Sequence, residues 1–289
     1  TAGPITILAG ATTSTFVVNF VDDTEDEALE TINFGLSGGT NVNITGNTTH
    51  RVDLTDSDPV PTLEFNTAAI SQDETFGTHT IQVDLNYKSY ENITFDYSAI
   101  GTSTATGGGT DYENGFGGSA TITAGQTSTN ITLEIIPDNL DEFNETVIIE
   151  LSNALTATTG TTVPIGGKSQ FTVTITDVTA PPTVGFDSAT ATAGDATNSN
   201  QTIGVTLSAI SGKNISIPYA INTGSSSTTD TGPFADHSLV NGTIDITAGN
   251  LTGSITLPII GDVTYENDEV LVIDLSEDGA NTPVRHILN

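Results

Sequence analysis

The chain contains no cysteine, methionine or tryptophan, and it has little positive charge and few aromatic residues. Without cysteine, the fold cannot depend on disulfide bonds, and thiolate ligands for a metal ion are excluded. No run of residues approaches the ~18 consecutive apolar residues of a membrane-spanning helix. Because an initiator methionine is also missing, we expect a processed or partial chain.

The charge is strongly one-sided, with 36 acidic residues against 5 basic residues in 289. Nucleic acids and anionic membranes are therefore not expected partners, because both are bound through lysine and arginine. So much negative charge opposes a compact fold through self-repulsion. Either bound cations offset this repulsion or the protein works at high salt, and the two explanations are compatible.

One 28-residue block occurs three times without a gap, as Gly10–Ser37, Gly125–Ser152 and Gly249–Ser276. Each copy consists of a glycine, an alternating apolar segment, an acidic turn and a second alternating segment that ends in Leu-Ser. The copies start 115 and then 124 residues apart. A period of this length is too long for solenoid repeats and indicates repeated domains.

Apolar residues alternate with polar ones along both segments of every block, for example at Phe16, Val18 and Phe20. A period of two predicts half-buried antiparallel strands, and no segment has a helical period. In the middle repeat, further strands are predicted at 80–87, 93–98, 120–123, 129–136, 145–151 and 171–176. Seven or so short strands separated by turns predict an all-β fold of tandem, immunoglobulin-like Greek-key β-sandwiches.

Proline-rich openings at Pro61–Phe65 and Pro181–Phe186 mark the starts of repeats, since proline stiffens a linker and cannot join a central strand. We predict residues 1–58 to be the C-terminal part of a first repeat and residues 59–179 a complete second repeat. Residues 180–289 are predicted to be a third repeat that lacks its closing acidic segment. As an alternative, strands from a neighbouring chain complete the first repeat by donor-strand assembly.

Carboxylates recur at three matched positions of the acidic turn. They are Asp23, Asp138 and Asp262; Glu27, Glu142 and Glu266; and Glu30, Glu145 and Glu269. In the middle repeat, Glu145 is in phase with Val147 and is expected to point inward. Glu74, Asp111 and Asp177 end other segments and are expected at the same pole.

Carboxylate oxygens without histidine or cysteine are typical ligands of calcium, with magnesium as the second choice. A solvated acidic loop is the alternative interpretation. Halophilic acidity, however, would scatter carboxylates over exposed faces and would not fix three positions in every repeat.

The order of these motifs resembles the Calx-β domain: DY, glycine, an alternating strand, D-x-x-x-E-x-x-E, LS and T-x-T-D. That family includes the regulatory calcium-binding domains of sodium–calcium exchangers and repeats of large cell-surface and bacterial adhesin-type proteins. The resemblance covers essentially the whole chain and is most specific in the Gly-to-Leu-Ser block. It implies Calx-β-type sandwiches and Ca²⁺ as the bound ion.

The resemblance also implies a set of calcium ligands for each repeat. In the second repeat they are Glu74, Asp111, Asp138, Glu142, Glu145 and Asp177, with Leu140 offering its carbonyl. In the first repeat they are Asp22, Asp23, Glu27, Glu30, Asp56 and Asp58. In the third repeat they are Asp195, Asp236, Asp262, Glu266 and Glu269.

The chain departs from the family pattern in three places. His237 replaces the tyrosine of the DY motif, and the second repeat has a single closing aspartate where well-furnished members have several. Pro137 and Gly261 replace the acidic residue that the first repeat keeps as Asp22. Fewer carboxylates imply fewer ions or weaker binding, in roughly the 10⁻⁴–10⁻³ M range of extracellular modules.

We therefore expect a calcium-stabilised structural or adhesive stalk segment of a large extracellular or surface-anchored repeat protein. Its expected partners are neighbouring repeats, identical chains in a filament, or an unknown surface or glycan ligand. Sequons that permit glycosylation of a secreted surface lie at Asn43, Asn47, Asn92, Asn130, Asn144, Asn200, Asn214, Asn241 and Asn250.

Two other functions remain open: a subunit of a self-assembling filament with strand exchange, and a carbohydrate-binding module. The second would need an exposed aromatic strip, and none is evident around Tyr87, Tyr90 and Tyr97. Catalysis is not expected, because the four histidines do not align between repeats. The paired carboxylates also lack the aromatic platforms of a sugar cleft.

Overall fold

The computed structural model describes residues 3–113, 116–194, 197–228, 235–265, 267–276 and 284–288. Over these ranges the fold is all-β, as predicted, and the one helical element is a 3-10 turn at Glu74–Phe76. None of the described helices has the length and apolar character needed to cross a membrane.

The first repeat contains two described strands, β1 (Glu30–Gly35) and β2 (Thr49–Leu54), which pair in antiparallel fashion. The prediction of a strand around Phe16, Val18 and Phe20 is wrong. The structure has no strand there, and these side chains are 54%, 40% and 49% exposed. This segment lacks a partner strand. The equivalent strand of the second repeat is held by a neighbouring strand, and residues 3–15 form none.

The second repeat is a sandwich of two sheets. Its strands are β3 (Leu63–Phe65), β4 (Ala69–Asp73), β5 (Thr78–Leu85), β6 (Ile93–Ala99), β7 (Gly117–Ile122), β8 (Ser128–Glu134), β9 (Glu145–Thr156) and β10 (Gln170–Thr176). One sheet has the order β3-β5-β8, and the other has the order β4-β10-β9-β6-β7. All pairs are antiparallel except β4 with β10.

The parallel pair β4–β10 determines where two carboxylates lie. Asp73 at the end of β4 is opposite Thr176 at the end of β10. The next residue along each strand is acidic, so Glu74 and Asp177 leave the sheet side by side at one pole of the sandwich. The sequence did not predict β4, because Ile70 is its one large apolar residue.

The third repeat has the same sheet order as the second. Its strands are β11 (Val184–Phe186), β12 (Thr190–Ala191), β13 (Ser199–Leu207), β14 (Ile215–Ile221), β15 (Gly242–Ile246), β16 (Thr252–Ile259), β17 (Leu271–Leu275) and β18 (Val284–Leu288). The sheets are β11-β13-β16 and β12-β18-β17-β14-β15.

Each of these two repeats has its own hydrophobic core. In the second repeat the alternating residues of β5 and β9, such as Ile81, Val83 and Ile149, are almost fully buried between the sheets. Leu257 and Ile273 are buried in the same way in the third repeat. Burial of one such side chain contributes about 1.5–3 kcal/mol, which is why the period-two pattern specifies the fold. The strands that were predicted correctly in the second repeat differ from the structure at their ends, and β9, for example, continues to Thr156 beyond the predicted residue 151.

Candidate metal centre

The acidic turns, at sequence positions 22–30, 137–145 and 261–269, share one hydrogen bond near their start. In each, the carboxylate of the leading aspartate accepts a hydrogen bond from the backbone N–H two residues later. The three bonds run from Glu25 to Asp23 (2.9 Å), from Leu140 to Asp138 (2.7 Å) and from Thr264 to Asp262 (2.6 Å). An aspartate can form this turn from its own side chain, so the same sequence position gives the same turn in every copy.

A closing aspartate then ties the turn to the last strand of the sandwich. In the second repeat, the N–H of Glu142 donates to Asp177 Oδ2 at 2.9 Å, and the N–H of Thr179 donates to Asp177 Oδ1 at 2.8 Å. Asp56 does the same in the first repeat, accepting from Glu27 and from Asp58 at 3.1 Å each.

Two further carboxylates of the second repeat reach the pole from other segments. Glu74 is buried, and its Oε1 accepts hydrogen bonds from Val178 N–H (3.3 Å) and Thr179 Oγ1 (3.4 Å). The carboxylate of Asp111 accepts the N–H of Thr106, and its carbonyl accepts the N–H of Ile136 at 3.0 Å. These bonds hold Glu74 beside the residues that follow Asp177, and Asp111 beside the residue that precedes the acidic turn.

The six carboxylates predicted for the second repeat all line one cavity. These residues are Glu74, Asp111, Asp138, Glu142, Glu145 and Asp177, and the remaining lining residues are Ile136, Phe143 and Ile175. The cavity volume is about 20 Å³, which is room for about one water-sized sphere. Leu140, whose carbonyl was expected to take part, is not among the lining residues.

The cavity is strongly electronegative. Burial raises the pKa of Glu145 to about 7, and the neighbouring carboxyl of Asp111 adds to this effect. Burial also raises the pKa of Glu142 above its ordinary value, with Asp138 and Asp111 as the next causes. Lys213 Nζ, 3.5 Å from Asp177 Oδ2, offsets one of these six charges. The charge that remains favours any cation that can enter.

The donors fit a hard divalent cation. All six side chains offer carboxylate oxygens, which are the ligands that calcium prefers in sets of 6–8 oxygens. Among the described residues, no three acidic or histidine side chains form a finished coordinating group. The fit therefore rests on the donor chemistry, the shared cavity and the unbalanced charge, and the ligand roles remain predictions.

The predicted residues of the first repeat also lie near one another, but at the surface. The pKa of Glu27 is raised chiefly by the nearby carboxylate of Asp23, and then by burial, Glu30 and Asp56. The pKa of Asp58 is raised chiefly by burial, and then by the carboxylates of Asp56, Asp22 and Asp23. The charges thus repel one another without being enclosed.

In the third repeat the structure describes part of the predicted set. The carbonyl of Asp236 accepts the N–H of Ile260 at 2.9 Å, as Asp111 does with Ile136. Asp262 forms the Asx turn described above, and Glu269 is half-buried two residues before β17 begins. Asp195 and Glu266 lie outside the described residues.

The sequence analysis missed one position of the turn. Asp26 and Asp141 occupy equivalent places in the first two blocks, and their side chains are buried rather than solvated. Both contact the following repeat. The signal in the sequence was their identical position within the block.

Two comparisons bear on the family. The sequence profile of the Calx-beta domain matches residues 56–179 and again residues 177–289. No curated protein matches the chain.

Solved structures similar to the chain include CBD12 from CALX1.2, with 19% identity, coverage of 74% of this chain and 80% of that chain, and a TM-score of 0.37. The apo form of the Calx CBD1 domain is 20% identical and covers 41% of this chain and 98% of its own, with a TM-score of 0.36. A two-domain protein of unknown function from Bacteroides fragilis is 10% identical, with coverages of 70% and 88% and a TM-score of 0.31. At such scores these likenesses carry no argument about function.

Proposed function

Because the chain belongs to the Calx-beta domain family, whose domains are calcium-binding modules, we propose that its acidic poles bind calcium and stabilise the sandwiches. The family detected here is non-catalytic. The wider proposal is that this chain is a structural or adhesive stalk segment of an extracellular repeat protein.

One observation carries the calcium proposal: six carboxylates from separate segments of the second repeat line a single cavity of about 20 Å³. Without a cation, the burial of these carboxylates and the repulsion among them oppose folding, as the raised pKa of Glu145 indicates. A calcium ion that binds the folded state alone stabilises it by RT ln(1 + [Ca²⁺]/Kd). The bound ion would neutralise the carboxylates. By doing so it would join the ends of β4 and β10 to the acidic turn.

The stalk proposal follows from the tandem arrangement and the composition. Weak sites suit an environment rich in calcium, and extracellular modules bind it in roughly the 10⁻⁴–10⁻³ M range. The sequons support an outside location, because glycosylation would be confined to a secreted surface.

The test is thermal unfolding of the whole chain in chelator and then in millimolar Ca²⁺, with Mg²⁺ and NaCl at equal ionic strength. We expect a rise in the unfolding midpoint that is specific to Ca²⁺ and is lost in the double variant Glu142→Gln/Glu145→Gln. The matched control is Asp96→Asn/Glu150→Gln, which removes the same charge from β6 and β9 and should keep the response. An equal rise in NaCl would show that the acidic turns are ordinary solvated surface.

A second candidate, a filament subunit that exchanges strands between chains, is favoured by one observation. Phe16, Val18 and Phe20 of the first repeat are about half exposed, and a ring contact of 5.5 Å joins Phe16 to Phe34 on β1. A strand from a second copy would cover this face. Analytical ultracentrifugation over a range of concentrations tests the candidate, which a chain that stays monomeric would exclude.

A further inference from the structure

Successive repeats touch through the same pair of segments at both junctions. One segment is the acidic turn of the preceding repeat. The other is the serine loop of the following repeat, residues 86–92 in the second repeat and 208–214 in the third. Ser89 lies four residues after β5 ends and four before β6 begins, and Ser211 has the same spacing from β13 and β14.

The two junctions repeat the same hydrogen bonds. Ser89 Oγ donates to Asp26 Oδ2 at 2.6 Å, and Ser211 Oγ donates to Asp141 Oδ2 at 2.8 Å. A main-chain bond runs beside each: Tyr90 N–H donates to the Asp26 carbonyl at 3.0 Å, and Gly212 N–H donates to the Asp141 carbonyl at 2.9 Å. Each turn and loop therefore meet as a short parallel β-bridge.

The contact atoms are withdrawn from water. The four residues Asp26, Ser89, Asp141 and Ser211 are 7%, 3%, 4% and 1% exposed. A buried carboxylate that loses its hydrogen-bond donor carries a large desolvation cost. Breaking this buried contact is therefore costly, whereas an exposed ion pair contributes little to stability.

Lysine is concentrated at these junctions. The chain has three lysines, and two of them belong to the serine loops. Lys88 Nζ lies 2.7 Å from Glu25 Oε1 at the first junction, and Lys213 Nζ lies 2.6 Å from Asp141 Oδ1 at the second. In so acidic a chain, placing the rare cations here offsets the charge that two approaching repeats bring together.

Each serine loop is positioned by its own repeat before it meets the turn. The N–H groups of Gly125 and Gly249 donate to the carbonyls of Ser89 and Ser211, both at 2.9 Å. These glycines have φ angles of 76° and 81°, in the region that favours glycine. This accounts for the glycine that begins the second and third 28-residue blocks.

From these contacts we propose that the buried aspartate of the turn and the serine loop form a repeat-to-repeat joint, which holds successive repeats at a fixed angle without requiring a metal ion. The partner of this surface is any following repeat with a serine at the equivalent loop position. The third turn has Tyr265 at the place of Asp26 and Asp141, and its side chain is 95% exposed. A further repeat could not join that turn in the same way.

The test measures the distance between repeats by double electron–electron resonance in the whole chain. Since the chain lacks cysteine, spin labels on Thr132→Cys and Thr256→Cys would be the sole labels, at equivalent exposed positions of β8 and β16. We expect a narrow distance distribution that is the same in chelator and in Ca²⁺. Asp141→Ala and Ser211→Ala should each lose the narrow distribution, and the double variant should be no broader than either.

Asp26→Ala is the matched control, because it disrupts the first joint and should leave this distance unchanged. Circular dichroism verifies folding, and Ser211→Ala should keep the parent's Ca²⁺-dependent rise in unfolding midpoint, which separates the joint from the calcium proposal. A parent distribution that is broad in chelator and narrow with Ca²⁺ alone would overturn the inference. So would a folded Asp141→Ala variant with an unchanged distribution.

Discussion

The first and second repeats have the same acidic turn in different surroundings. In both, the N–H of the glutamate at the matched position, Glu27 or Glu142, donates to the closing aspartate, at 3.1 Å in the first repeat and 2.9 Å in the second. In the second repeat, Glu74 and Asp111 join the turn and enclose a cavity, whereas the predicted ligands in the first turn are exposed. The turn is therefore a local structure, but the enclosed site requires the rest of the sandwich.

The largest contrast should be in stability. Phe65→Ala removes a fully buried ring from the second core and should lower the free energy of opening of that repeat by about 3–5 kcal/mol. Phe34→Ala in β1 removes a partly exposed ring and should change that of the first repeat by less than about 1 kcal/mol. Native-state hydrogen exchange of amides in β9 and β1 measures both. Equal losses would mean that the first repeat has a closed core.

The next contrast is in calcium affinity. Asp177→Asn removes one carboxylate from the enclosed cavity and should weaken binding at the second pole about tenfold, or about 1.4 kcal/mol. Asp56→Asn makes the same change at the exposed first pole and should have a smaller effect. Calcium titrations followed by the amide NMR signals of Glu142 and Glu27 separate the two poles. A larger loss from Asp56→Asn would reverse the assignment of the stronger site.

A smaller change should make the second pole resemble the first. Glu74→Gln keeps an oxygen that can accept from Val178 and Thr179 but removes the charge. We expect binding at the second pole to weaken a few-fold while the unfolding midpoint in chelator stays constant or rises. The same NMR titration measures this, and unchanged affinity would exclude Glu74 as a ligand.

The smallest effect concerns pH. The pKa of Glu145 is raised from its ordinary 4.5 to about 7 in the folded chain, so the folded state binds this proton more tightly than the unfolded state. The stabilisation is complete below the unfolded pKa and is lost as pH rises through about 7. In chelator, the unfolding midpoint should fall between about pH 5 and about pH 8, and Glu145→Gln should flatten this fall. A profile that is the same in both proteins would contradict the assigned pKa.

Local patterns carried most of what could be predicted from the sequence. Period-two alternation located β5, β6, β8, β9 and β10 to within a few residues, since each strand buries one face independently. The positions of Asp23, Asp138 and Asp262 predicted a shared turn for the same reason. The Phe16–Phe20 strand failed because a strand also needs a partner, which its own residues do not specify.

The joint residues could not be predicted because their role depends on a second repeat. Asp141 looks like any other carboxylate in the turn, and its burial follows solely from contact with Ser211. Ser211 lies in a short loop without an alternating pattern. Tertiary contacts of this kind leave little trace in local sequence, apart from the repetition of the block itself.

The two joints make the same contact from the end of one repeat to the beginning of the next. A head-to-tail contact that recurs unchanged builds an open screw unless its rotation closes a ring. The handedness of a longer row of such repeats would then follow from a single serine–aspartate contact. At the third turn, where Tyr265 replaces the aspartate, a following repeat would be related by a different rotation and translation.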